Sequence, residues 1–284
     1  MSSIPKPTDS TLSRIWKAWQ DNQKPRFSKR LGASQIGKEC KRAAWYAFRW
    51  AKMERFDGRM LRLFDTGHLE EDRIIIDLKM AGVDVKATDP ETGKQWEFND
   101  VNGHFVCRLD AAAQGFIEAP ATWHVCEFKT MSQKAFDEIA ANGCQKAKPE
   151  YFCQVMTGMG MSGMERAALL CVNKNTDDIY IERIRFDKKE WTRILQLAKE
   201  IIFGREAPER IGTGPAYFQC KWCAFHGVCH GEETAAKNCR TCIHSTPTEN
   251  GDGEWLCEIN HIVTDHIKQA IGCPDHEYRK EMTP

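Results

Sequence analysis
The chain has 284 residues, 42% of them hydrophobic, enough to fill a sizeable core and to exclude a disordered chain. Lys+Arg and Asp+Glu both number 40, so no overall positive field advertises nucleic acid, and any polyanion must be held by a local patch. No apolar run approaches the ~20 residues of a membrane helix, and Met1 to Ser10 is polar and proline-containing rather than a signal-peptide core, so a cytoplasmic protein without a membrane partner is expected.

A basic stretch runs from Lys24 to Arg62, opposed only by Glu39, Glu54 and Asp57. Within it Ser34 suits an N-cap for a helix through about Lys52, with Cys40 near its second turn and Arg42, Trp45, Tyr46, Arg49 and Trp50 along it. Aromatics alternating with cations suit either a core helix with snorkelling arginines or a surface that stacks on bases while neutralising phosphates. Next, Asp65 or Thr66 can cap a helix over Gly67 to Met80, with Leu69, Ile74, Ile75 and Leu78 as its buried stripe and Gly82 closing it. His68 and Glu71 share a face of that helix. Gln95–Phe98, His104–Ala112 and Trp123–Thr130 read as strands of an antiparallel meander, separated by turn residues. Helices over Ser132 to Ala141 and Tyr151 to Met161, strands Ala167–Val172 and Ile179–Phe186, and a helix from Lys188 to Phe203 complete an α/β middle.

Three regions follow: a basic helical region over 1–60, a mixed core over 61–232, and a cysteine-rich module over 233–284, with Gly231 to Lys237 as linker. Of thirteen cysteines, seven crowd into the last 65 residues as CxxC pairs and satellites, which in a reducing compartment argues for metal ligation over disulfides.

On a strand, residues two apart face the same side, so Glu127 and Lys129 project together while Phe128 turns inward. With Asp110 beside Glu127 on the neighbouring strand, two carboxylates and the Phe128 carbonyl offer a hard-oxygen site for Mg²⁺ or Mn²⁺, with Lys129 above it. Such an ion activates water and neutralises a reacting phosphate, and the ammonium stabilises developing charge, so phosphodiester hydrolysis follows. Glu-x-Lys alone says little, because Glu39-Cys40-Lys41 has the same spacing on a helix. A surface ion-pair cluster is the plain structural alternative.

The ordered set Gly67-x3-Glu71, Asp110, Glu127-x-Lys129 and Gln154 resembles the PD-(D/E)XK nuclease superfamily, and within it the RecB-like exonucleases, over roughly Ser34 to Cys229. The resemblance implies a restriction-endonuclease-like core, a central mixed sheet flanked by helices. It also implies Glu71 as a third metal ligand, Asp110 and Glu127 as the metal carboxylates, Lys129 as the catalytic lysine, and Gln154 as the glutamine of the following helix. Where the family often writes Gln-x3-Tyr, this chain has Gly158. His68, one turn before Glu71, could ligate, touch phosphate or be an ordinary surface histidine.

Cys220-x2-Cys223-x5-Cys229 supplies three soft ligands in one loop. The resemblance nominates Cys40, in Ser34-x-Ile36-x3-Cys40-x-Arg42, as the fourth ligand of a [4Fe–4S] cluster clasping the two ends of the core. Zn²⁺ is the alternative, with His226 or His230 in place of Cys40. Cys239-x2-Cys242-x14-Cys257-x15-Cys273 forms a second set suited to Zn²⁺, with Trp255 and Ile262 as cover and His244, His261, His266 or His276 as alternative ligands. Together these imply a metal-dependent DNA exonuclease of phage or prokaryotic type, acting on DNA ends or single strands in recombination or repair, with a single-strand annealing or recombination protein as companion. The alternative is a non-catalytic zinc-containing DNA-binding or recombination-accessory protein on the same fold.

Overall fold
The computed structural model describes residues 10–23, 27–212 and 214–284; Lys24 and Arg26 of the basic stretch and residues 1–9 lie outside them. The chain opens with α1 (Thr11–Asp21), β1 (Leu31–Gly32), α2 (Ala33–Ile36), α3 (Lys41–Phe48) and α4 (Gly58–Met80). Strands β2 (Asp84–Lys86), β3 (Glu97–Asp100), β4 (Phe105–Arg108), β5 (Ala111–Gln114) and β6 (His124–Met131) follow. Then come α5 (Gln133–Asn142), α6 (Cys144–Ala147), α7 (Pro149–Ser162), β7 (Arg166–Asn173), β8 (Ile179–Arg185) and α8 (Lys188–Phe203). The last part holds α9 (His226–Cys229), β9 (Ser245–Pro247), β10 (Trp255–Cys257), β11 (Ile262–Thr264) and α10 (His266–Ile271).

A five-stranded mixed sheet, in the order β2-β5-β6-β7-β8, forms the centre. β6 and β7 run parallel from Val125 with Ala167 to Met131 with Asn173, and the other neighbours are antiparallel. Both faces of β7 are covered, so its residues are apolar almost without alternation. Ala167, Leu169 and Cys171 face a core shared with α3, α7 and α8. Ala168, Leu170 and Val172 face Ile74 and Leu78 of α4. α8 spans the expected residues because its stripe Ile194, Leu197, Ala198, Ile201 and Ile202 is buried and Asp187 caps it, accepting from the Lys189 amide at 2.8 Å.

Three expectations change, and one open choice is decided. The helix over 34–52 is broken: α2 ends at Gly37, where a Cβ would lie 2.7 Å from the Glu150 Cα, and Cys40 becomes the N-cap of α3, its Sγ accepting from the Ala43 amide at 3.4 Å. α4 starts nine residues before Gly67, capped by Asp57 rather than Asp65 or Thr66, and Leu69 is 63% exposed instead of lying in the stripe. The expected strand over 104–112 is two strands in different sheets, with β4 pairing β3 and β1 while β5 joins the central sheet. Trp45, Tyr46 and Trp50 are buried at 0%, 1% and 2% exposure, so the N-terminal aromatics are core and cannot stack on bases.

The cysteine-rich segment has its own three-stranded sheet, β9-β10-β11. It nevertheless shares the main core. Trp255 packs on Phe48, and the buried Arg240 guanidinium lies 3.9 Å from the Trp50 ring centre while donating to the Phe48 and Lys29 carbonyls. Among the described residues no helix is long and apolar enough to cross a membrane.

Candidate active site and thiol cavity
Asp110 sits at the break between β4 and β5. Pairing between β5 and β6 stops at Ala111 with Cys126, and past that point Asp110 Oδ2 accepts from the Phe128 amide at 2.7 Å. A side-chain carboxylate thus takes the place of a strand carbonyl. On a strand the N–H and C=O of one residue face the same edge, so the Phe128 carbonyl lies on the Asp110 side, as a hard-oxygen site requires. The Phe128 ring is buried against the α4 layer.

Glu127 and Lys129 project from the opposite face of β6 and form an ion pair. Glu127 is 2% exposed while Lys129 keeps 23% of its side chain open. The Lys129 ammonium also stands 5.3 Å from the centre of the Tyr151 ring on α7. Burial, and then the neighbouring Glu127 charge, holds Asp110 well above the usual carboxylate range. Burial likewise raises Glu127, against the pull of Lys129. Burial alone would push Lys129 down, but Glu127 and Asp110 outweigh it and hold the ammonium above its ordinary value. Glu71, from α4, adds to the upward push on both carboxyls, which places three acidic groups around one region with a single cation among them.

Glu71, His68, Phe128, Lys129 and Tyr151 line a cleft of about 770 Å³ between α4, β6 and α7. His68 is exposed and stands 3.5 Å from Glu71 as an i,i+3 partner. Among the described residues the Gln154 side chain has no hydrogen-bond partner, and it does not line the cleft; Tyr151, one turn earlier on α7, is the residue that helix brings to Lys129. Tyr151 was missed from sequence, and its position three residues before Gln154 was the available signal. Gly158, which the resemblance set against a tyrosine, has a packing reason to be glycine. A Cβ there would already lie 3.0 Å from Leu109 and Val125, so α7 lies too close to the sheet for a ring.

Cys40, Cys220, Cys223 and Cys229 line one cavity of about 670 Å³, with Tyr46, Phe225 and His230. Burial raises the Cys40 and Cys223 thiols, and each also feels other members of the set. Cys220 and Cys223 are joined by a tight turn in which the Cys223 amide donates to the Cys220 carbonyl at 3.1 Å. His226 is engaged with the Pro215 carbonyl at 3.1 Å and with Glu232 at 3.4 Å. His230 Nε2 is buried without a hydrogen-bond partner. Among the described residues, no three His, Cys, Asp or Glu side chains are drawn together tightly enough to hold a metal ion.

No family model and no curated protein matches the chain. Solved structures similar to it include that of SSO0001, at 16% identity and a TM-score of 0.46 over 80% of this chain and 99% of that one. An alkaline exonuclease, LHK-Exo from Laribacter hongkongensis, is similar at 15% identity and a TM-score of 0.43 over 66% of this chain and 90% of that one. The same exonuclease in complex with dAMP is similar at 14% identity and the same TM-score and coverage. Similarity at these levels leaves the chemistry to be argued from the chain's own residues.

Proposed function
We propose that this chain is a metal-dependent deoxyribonuclease, an exonuclease acting on DNA ends or single strands in recombination or repair. The observation that carries the reading is the Asp110 carboxylate bonded to the Phe128 amide, beside the buried Glu127–Lys129 pair and within reach of the Glu71 charge. Asp110 and Glu127, buried side by side and both raised above the usual carboxylate range, call for more positive charge than the one Lys129 ammonium brings, and Glu71 adds a further negative charge nearby. Asp110, Glu127, Glu71 and the Phe128 carbonyl are a hard-oxygen donor set of the kind Mg²⁺ or Mn²⁺ takes. When bound, the ion would supply Lewis-acid charge neutralisation and a more acidic water.

The chain's own groups do the rest. Lys129, held protonated and lining the cleft, could stabilise charge on a phosphoryl oxygen. Tyr151 backs the ammonium and limits where it can swing. Exposed Arg59 and Arg62 lie on the same helix as Glu71 and offer phosphate contacts. Much of the remaining basic stretch is spent internally, with Arg30 on Glu97 and Asp252, Arg49 buried, and Lys52 on Glu233. The four thiols of the first cavity suit an all-thiolate [4Fe–4S] cluster joining α3 to the 220–229 loop, with zinc as the rival occupant. Absorbance near ~400 nm that vanishes in Cys223→Ala would support the cluster.

End-labelled single- and double-stranded DNA incubated with Mn²⁺ tests the activity. Loss of label with the wild type but not with Lys129→Ala or Asp110→Ala supports the nuclease. DNA binding without cleavage by the wild type would support the accessory protein instead.

A further inference from the structure
The C-terminal segment carries a second cysteine set that the nuclease reading leaves unused. Its apolar burial is slight: Ala235, Cys242, Trp255 and Met282 are its buried hydrophobics among the described residues, and all but Cys242 belong to the main core. Around β11 and α10 the apolar side chains face outward, with Ile262 47%, Ile267 77% and Ile271 73% exposed. Ile262, the register partner of Cys257, is thus half exposed, and Trp255 is buried in the main core. A fold this thin needs a crosslink.

Four cysteines are placed to provide it. Cys239 and Cys242 flank a tight turn in which the Cys242 amide donates to the Cys239 carbonyl at 3.1 Å, the same turn that Cys220 and Cys223 make. Cys257 pairs in register with Ser245, whose amide donates to the Cys242 carbonyl at 3.4 Å. Gly272, the residue before Cys273, lies against Asn238, the residue before Cys239, with a Cβ position 3.6 Å from the Asn238 Cα. The thiol of Cys239 feels those of Cys273, Cys242 and Cys257. Of the nearby histidines, His276 has Nε2 3.2 Å from the Thr241 hydroxyl and His244 is paired with Glu277 at 3.3 Å, while Nδ1 of His266 and of His276 is buried with no hydrogen-bond partner among the described residues.

We propose that Cys239, Cys242, Cys257 and Cys273 form a structural zinc site that fixes the turn carrying Arg240 in its buried slot against α3. The residue between the paired cysteines is the wedge that holds the tail on the core. It donates to the Phe48 and Lys29 carbonyls and to Gln269 Oε1, so a metal that ties Cys239 and Cys242 to Cys257 and Cys273 would hold in place the turn on which the guanidinium is already seated. Four thiolates suit tetrahedral Zn²⁺, which needs no open position and no redox partner. Binding releases the thiol protons, and the Cys239 thiol gives up its contact with the Lys268 carbonyl at 3.8 Å.

The test is metal content and native mass of the full chain, and it is independent of nuclease activity. One zinc per chain is expected in the wild type and in Cys223→Ser, falling to none in a Cys257→Ser, Cys273→Ser double variant of Cys223→Ser. Trypsin should cut faster at Lys237 and Arg240 once chelator has stripped the metal from Cys223→Ser, and re-addition of Zn²⁺ should restore resistance without any substitution in the second set. Absence of zinc from Cys223→Ser, iron at this site, a mass deficit showing disulfides among these cysteines, or full zinc in the double variant would overturn the proposal.

Discussion

The Phe128 amide donates to Asp110 Oδ2 at 2.7 Å, and this one bond continues the β5–β6 ladder past its last residue pair while leaving a carboxylate at its end. Strand pairing and site assembly are the same contact, which is why the chain breaks between β4 and β5 at this residue.

Asp110→Asn separates the two roles. Asparagine can still accept from the Phe128 amide but brings no charge, so thermal stability should hold or rise as a crowded carboxyl is relieved. DNA cleavage should fall by roughly 100-fold or more. Melting curves and initial cleavage rates on the same preparation check both halves.

Lys129→Met strips Glu127 of its counter-charge and should cost about 3 kcal/mol at neutral pH. Burial raises the Glu127 carboxyl and Lys129 lowers it, so its folded value climbs further in the variant. A carboxyl whose folded pKa exceeds its unfolded one contributes stability that is complete at low pH and is lost as pH rises through the folded value. The gap between variant and wild type should therefore narrow between pH 8 and pH 5 in urea titrations. Glu127→Gln combined with Lys129→Met should recover much of the stability without recovering cleavage.

His104 is fully buried among Phe48, Phe203 and Trp255, with Nε2 3.0 Å from the Thr248 carbonyl. Burial pushes its pKa down to about 4. As pH falls through the ordinary histidine value the unfolded chain takes up a proton that the folded chain refuses, at a cost of about 3 kcal/mol by the time the folded pKa is reached. His104→Phe should flatten that acid limb, read as the slope of the denaturation midpoint against pH between 7 and 4.

Gly37→Ala would drive a methyl against the Glu150 backbone at 2.7 Å and the Cys153 Cβ at 2.8 Å. A loss of roughly 1–3 kcal/mol is expected, together with faster loss of any metal held by Cys40, because the α2–α7 contact positions the loop that carries it. Chemical denaturation and metal-release rates check this.

How much of this was legible in the sequence differs by element. α8 was readable end to end because its Asp187 cap and apolar stripe are local signals. The break at Gly37 was not, because it answers to the Glu150 backbone far along the chain. Nor was the division of 104–112 between two sheets, since apolar runs do not say which neighbour a strand pairs with. The Glu127, Phe128 and Lys129 facing pattern follows from strand periodicity and appears as read. Tyr151 did not stand out, because its partner Lys129 is set by tertiary packing of α7 on β6. Trp45 and Trp50 could have served either a core or a nucleic acid surface, and burial decides for the core.

The proposed nuclease activity requires that Asp110, Glu127 and Glu71 together hold one divalent cation. Mn²⁺ titration at neutral pH, followed by loss of its free-ion electron paramagnetic resonance signal, measures this directly on Cys223→Ser and on Cys223→Ser carrying Asp110→Asn. One site is expected in the first protein, lost or weakened at least tenfold in the second while both remain folded. Equal Mn²⁺ binding by the two, or none by either, would contradict it.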